Sequence, residues 1–125
     1  MAFILVVDDQ PQLLASIQMT LELAGHRVYT AGTGTAALAV LQAQSIDLIL
    51  TDIGMPQLDG YQLCARVRAE GIWNAIPLLF LSARGSDEDI RYAKSLGADD
   101  YLVKPIEPED LLAAVQEGLR QGRSH

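Results

Sequence analysis

Asp47-Leu48-Ile49-Leu50-Thr51-Asp52 is an apolar run that closes on a carboxylate, and Ile53-Gly54-Met55-Pro56 breaks the chain directly after it. Phe3-Ile4-Leu5-Val6-Val7 ends in the same way, on Asp8-Asp9. Short apolar runs bounded by turn residues read as strands covered on both faces. Two later runs close on groups of complementary character: Leu78-Leu79-Phe80-Leu81 on Ser82, and Tyr101-Leu102-Val103 on Lys104-Pro105. Three carboxylates, a hydroxyl and an ammonium thus sit at the ends of four strands.

Outward from these runs, strand-length segments alternate with helical patterns, the signature of an α/β fold with a parallel sheet. Strands are predicted near 3–7, 26–31, 48–52, 77–82 and 100–104, and helices near 11–24, 34–44, 59–70, 86–96 and 107–121. The first helix places Leu13, Leu14, Ile17, Leu21 and Ala24 on one stripe, with Pro11 in its first turn and Gly25 as its stop. Leu111, Leu112, Val115 and Leu119 repeat the stripe in the last helix, and Gly71 and Gly97 read as the ends of the third and fourth. Strand two, Arg27-Val28-Tyr29-Thr30, alternates and strand five is short, so both are expected at sheet edges. Right-handed crossovers then favour a doubly wound five-stranded sheet of order 2-1-3-4-5. Ligands of such sheets bind at the carboxyl ends of the strands, beside the reversal between strands one and three. Asp8, Asp9 and Asp52 fall there.

Composition bounds the rest. Half of the 125 residues are apolar, enough for one core without covalent staples. One domain is expected over 1–121, with a polar tail or the start of a linker over 122–125. The single cysteine, Cys64, excludes an internal disulfide framework and a cysteine-based zinc cluster. A net charge of −7 argues against direct nucleic-acid binding. The lone cysteine makes a reducing, cytoplasmic setting the expectation, and no apolar run approaches membrane-spanning length, so no membrane partner is expected.

Carboxylates about 4 Å apart repel by roughly 4 kcal/mol at an effective dielectric near 20, so the cluster needs a cation. Oxygen-only ligands suit Mg²⁺. With the Lys104 ammonium alongside, the site would neutralise an incoming phosphoryl group, and Asp52 is the candidate nucleophile.

The ordered set Val6-Val7-Asp8-Asp9, Asp52-Ile53-Gly54-Met55-Pro56 with Asp59-Gly60, Leu81-Ser82-Ala83 and Gly97-Ala98-Asp99-Asp100-Tyr101-Leu102-Val103-Lys104-Pro105 resembles the receiver domain of two-component response regulators. The resemblance covers essentially the whole chain. It implies a flavodoxin-like (βα)5 fold, Mg²⁺ as cofactor, and phosphoryl acceptance on Asp52 from a histidine kinase or histidine phosphotransfer protein. Metal binding would fall to Asp9, Asp52, the Gly54 backbone carbonyl and, through water, Asp8. Phosphate binding and switching would fall to Lys104, Ser82, the Ala83 backbone and Tyr101, and the Lys104-Pro105 bond would be cis. Gly54 and Arg84 match positions that tune phosphoryl lifetime, Arg84 as a partial shield. Phosphorylation would switch the surface of helix four, strand five and helix five toward an output domain or a homodimer. The only catalysis implied is phosphoryl transfer to the chain itself and autodephosphorylation.

Two other classes compete. A small Mg²⁺-dependent aspartyl-phosphate phosphatase of the haloacid-dehalogenase type would carry Asp-x-Asp and a cap domain, whereas Asp8 and Asp9 are adjacent and the length leaves no room for a cap. A flavodoxin-like binder of a phosphate-bearing cofactor would need hydroxyls and backbone donors where Asp8-Asp9-Gln10-Pro11 repels phosphate. Thr33 in Gly32-Thr33-Gly34 reads as a helix cap rather than part of a phosphate loop. Ser82 lacks the G-x-S-x-G elbow of a hydrolase nucleophile. Cys64 and Trp73 read as packing, His26 as a strand-edge residue, and Asp59 as shaping the loop into helix three. Asp99, Asp100, Arg91 and Lys94 form either a solvated surface or, as in winged-helix members of the family, dimer salt bridges.

Overall fold

The computed structural model describes residues 1–122. Five strands, β1 Phe3–Val7, β2 Arg27–Ala31, β3 Leu48–Thr51, β4 Leu78–Ser82 and β5 Asp100–Val103, alternate with five helices, α1 Pro11–Leu23, α2 Gly34–Ala43, α3 Gly60–Ala69, α4 Asp87–Ser95 and α5 Pro108–Gly122. All strand pairs are parallel and the sheet order is β2-β1-β3-β4-β5. Fold class and order are those expected from the apolar runs.

Alternation inside those runs explains the layers. Leu5, Val7, Ile49, Leu78, Phe80 and Tyr101 pack with Leu41, Leu63, Val67 and Ala93 of α2, α3 and α4. Ile4, Val6, Leu48, Leu50, Leu79 and Leu81 face the other way, against Ile17 and Leu21 of α1 and Leu111, Val115 and Leu119 of α5. A strand buried on both faces shows no polar phase, so its run is continuously apolar. Each fully buried Leu or Ile contributes roughly 1.5–3 kcal/mol of transfer free energy.

Helix boundaries follow from their caps. The Thr33 hydroxyl accepts from Ala36 N–H, and Ser86 serves Asp89 N–H at the start of α4. Asp59 and Gln62 form a reciprocal capping box at α3, so Asp59 shapes that loop as expected. Gly25 and Gly97 end α1 and α4 with φ of +95° and +106°. Gly71 does not end α3 in this way: the helix stops at Ala69, Glu70 turns extended, and Gly71 has no positive φ. The Glu70 carbonyl instead accepts from Trp73 N–H, whose indole is buried in the core. Cys64 is buried too, with its thiol donating to the Leu96 carbonyl. The His26 ring accepts from Ala2 N–H beside edge strand β2. Gly122 belongs to α5, and residues 123–125 of the expected tail lie outside the described residues.

Candidate functional site

At the carboxyl edge of the sheet, backbone hydrogen bonds continue past the strand ends. Asp8 N–H donates to the Ala31 carbonyl (3.0 Å) and Asp52 N–H to the Val7 carbonyl (2.8 Å), while Lys104 N–H donates to the Ser82 carbonyl (2.8 Å). Asp8, Asp52 and Lys104 therefore stand on ladder-like supports rather than on free loops. Asp8 is 2% exposed, Asp52 is half-buried and Asp9 faces solvent. One carboxylate oxygen from each lies within 4.8 Å of the other two.

Lys104 joins two of the three. Its ammonium donates to Asp8 Oδ2 at 2.9 Å and stands 3.6 Å from Asp52 Oδ2. Asp8 Oδ1 accepts from Gln10 N–H, and Asp52 Oδ1 from Ile53 N–H, both within 2.9 Å. One ammonium among three carboxylates leaves a net negative site. Burial raises the Asp52 carboxyl above its ordinary range; the Ile53 N–H and the Lys104 ammonium pull it down, while Asp8 and Asp9 push it further up. An all-oxygen donor set with one deep and one solvent-facing carboxylate fits Mg²⁺, which keeps several waters.

Glycine sets how closely the next helix approaches. A Cβ on Gly60 would collide with the Asp52 carbonyl oxygen and lie 2.8 Å from Ile53 Cα. Gly60 N–H donates to the Ile53 carbonyl at 2.8 Å, fixing the start of α3 against the loop that follows Asp52. A Cβ on Gly34 would likewise meet Leu58, whose loop crosses the start of α2. Between these contacts Gln57 adopts φ +65°, a left-handed conformation held by the loop around it. Gly54 is exposed, and nothing lies within 4 Å of the Cβ it lacks.

On the opposite side, Ser82 is 4% exposed and its Oγ accepts from Arg84 N–H at 3.2 Å. Tyr101 is turned inward, 8% exposed, and its hydroxyl donates to the Arg84 carbonyl at 2.7 Å. Val103 lies over Gly85, whose missing Cβ would sit 3.2 Å from a Val103 methyl. Two alternate residues of β5 thus clamp the β4–α4 loop. Ala83 and Arg84 are exposed in that loop, and the Lys104-Pro105 bond is cis. A groove of about 640 Å³ lined by Ala24, His26, Leu112 and Arg120 includes none of these residues.

Sequence reasoning missed Arg68. Its guanidinium donates to the carbonyls of Gly97 (2.9 Å), Asn74 (3.2 Å) and Ile76 (2.7 Å) and pairs with Asp99 at 2.8 Å. Asp99 also accepts from Leu78 N–H, and Asp100 from Tyr101 N–H. Asp99 thus has partners within its own chain, and Asp100 accepts from the residue that follows it. The close approaches of Gly60 and Gly34 were missed as well, Asp59-Gly60 being the sole local signal.

The family model for the response regulator receiver domain matches residues 4–116. A transcriptional regulatory protein of Streptomyces coelicolor, AfsQ1, is 35% identical over 122 residues, covering 98% of this chain and 53% of that protein. The alkaline phosphatase synthesis transcriptional regulatory protein PhoP of Bacillus subtilis is 37% identical over 118 residues, 94% of this chain and 48% of its own length. The chain therefore spans about half the length of these curated relatives. Among solved structures, the chemotaxis response regulator CheY4 of Vibrio cholerae superposes with a TM-score of 0.90 at 36% identity, covering 94% of this chain and 98% of that one.

Proposed function

The chain belongs to the response regulator receiver domain family, a phosphoacceptor signalling domain, and we propose that Asp52 is its acceptor. The observation that carries this reading is the grouping of the Asp52 carboxylate with two other carboxylates, within 4.8 Å, and with the Lys104 ammonium at 3.6 Å. The phosphatase and cofactor-binding alternatives are not favoured by the family match. An Asp52 oxygen attacks phosphorus of a phosphohistidine on a histidine kinase or histidine phosphotransfer protein. The O–P bond forms as the P–N bond breaks, and the leaving imidazole keeps the electron pair and takes a proton. Asp9, Asp52 and the Gly54 carbonyl, with Asp8 through water, would hold Mg²⁺, which supplies charge neutralisation for the phosphoryl oxygens.

The protein's own groups do the rest. Lys104 receives one phosphoryl oxygen as its contact with Asp52 is exchanged for one with the new dianion. The Ser82 hydroxyl and the Ala83 amide receive another, which requires Ser82 Oγ to leave the Arg84 amide. Inward Tyr101 then fixes the β4–α4 loop in its new position, and the α4–β5–α5 surface meets an output domain or a second copy. Arg84 partly covers the phosphoryl group, and Gly54 leaves the path of hydrolytic water open. Among the described residues no helix is long and apolar enough to cross a membrane, and we place this signalling in the cytoplasm.

Intact-mass measurement after treatment with acetyl phosphate tests the assignment. The wild type should gain one phosphoryl group with Mg²⁺ and little without it, and Asp52→Asn should gain none. Equal labelling of that variant would remove Asp52 from the role.

A further inference from the structure

Four aromatic rings form a column from the surface of α4 to the inner clamp. Tyr92, 53% exposed on α4, meets Tyr61 of α3 edge-to-face, with centroids 4.9 Å apart at 84°. Tyr61 meets Phe80 of β4 in the same manner at 5.6 Å and 79°. Phe80 in turn stands 6.3 Å from Tyr101 of β5 at 63°. Ring quadrupoles favour such edge-to-face contacts at these spacings, so each ring restrains the tilt of the next.

Both halves of the site touch this column. At its inner end the Tyr101 hydroxyl holds the Arg84 carbonyl, and the Arg84 amide holds Ser82 Oγ. Near its middle, Tyr61 directly follows Gly60, the residue pressed on the Asp52 backbone. A displaced ring is therefore felt by the acceptor loop and the hydroxyl loop together. Phe80 is fully buried, so it cannot tilt without a neighbour giving way.

We infer that Tyr61 and Tyr92 are positioning residues of the switch: their edge-to-face rings, through Phe80, hold Tyr101 inward and thereby set the affinity of the Asp52 site for a phosphoryl group. The inference rests on Asp52 being the acceptor. Aromatic pair contacts of this kind correspond to roughly two- to tenfold in an equilibrium constant. Coupling is reciprocal, so a partner that covers Tyr92 changes phosphoryl retention by the factor that phosphorylation changes its own binding.

Titration with beryllofluoride and Mg²⁺, followed by NMR, reads this affinity at equilibrium. Tyr61→Leu and Tyr92→Ala should each weaken binding about two- to tenfold, while Tyr61→Phe and Tyr92→Phe match the wild type because the ring, not the hydroxyl, makes the contact. The double variant Tyr61→Leu/Tyr92→Ala should bind no more weakly than Tyr61→Leu, since the rings act in series. Tyr92 is half exposed, so Tyr92→Ala should leave the thermal midpoint near the wild-type value. In the metal-free protein that variant should still shift the Tyr101 ring resonances. Unchanged affinity in both truncations, additive losses in the double variant, or loss in the Phe variants overturns the inference. Failure of the wild type to bind beryllofluoride, or undiminished binding in Asp52→Asn, overturns the acceptor assignment instead.

Discussion

The acidic half of the sheet's carboxyl edge and its hydroxyl half share backbone supports but differ in what their side chains hold. Asp8 and Asp52 stand on backbone hydrogen bonds to Ala31 and Val7, and Gly60 is pressed directly against the Asp52 backbone. The Ser82 carbonyl likewise accepts from Lys104 N–H, but the Ser82 and Tyr101 side chains are also tied to the β4–α4 loop by two contacts to the Arg84 backbone. Backbone-to-backbone supports cannot rearrange without breaking the sheet, whereas a hydroxyl can exchange its partner by rotation about one bond. The molecule thus keeps its three carboxylates on the half held by backbone bonds, with the exchangeable hydroxyl contacts on the other.

Complete loss of acceptance in Asp52→Asn is the largest effect this contrast predicts. Next comes Gly60→Ala, which forces a methyl into the Asp52 carbonyl oxygen. It should lower stability by about 3 kcal/mol, a fall in Tm of roughly 10 °C; a variant that melts like the wild type would show the acidic half to be pliable. A smaller effect concerns the stored charge. The Asp52 carboxyl titrates above its ordinary value in the folded state, chiefly through burial. Between the unfolded and folded values the folded chain holds the extra proton, so stability falls as pH rises through that window. Asp52→Asn without Mg²⁺ should therefore melt about 2–5 °C higher than the wild type at pH 7. That gain should disappear once the pH drops below the ordinary aspartate value of about 3.9. A gain that persists at low pH would trace to packing instead of charge. The smallest effect belongs to the adjustable half: Arg84→Ala should shorten the phosphorylated half-life about two- to fivefold while leaving Tm unchanged. An equal or longer half-life would remove Arg84 as a shield.

What the sequence disclosed follows the same division. Strands covered on both faces have no choice but to be apolar throughout, so β1, β3 and β4 could be read directly, and the residues closing them identified the edge where the carboxylates cluster. Asp8, Asp9, Asp52, Ser82 and Lys104 were legible because a polar residue ending an apolar run is a local signal. Arg68, Gly34 and the Tyr61–Tyr92 contact were not, since each depends on how two helices or loops approach one another. Gly71 marked the end of α3 to within two residues but not its geometry. Glu70 leaves the helix extended and its carbonyl accepts from Trp73 N–H, so the stop needs no left-handed glycine.

Arg68 has a mechanical consequence. It binds Gly97 and Asp99 just beyond α4, and the Cys64 thiol reaches Leu96 at the same end. The opposite end of α4 begins at Ser86, in the loop that the tyrosine and serine hydroxyls hold. A rod fixed at its tail and released at its head can only swing. Any displacement of α4 should therefore be greatest at Asp87, shrink along the helix, and vanish near Leu96, turning a rearrangement of one loop into a lever stroke across the protein's surface.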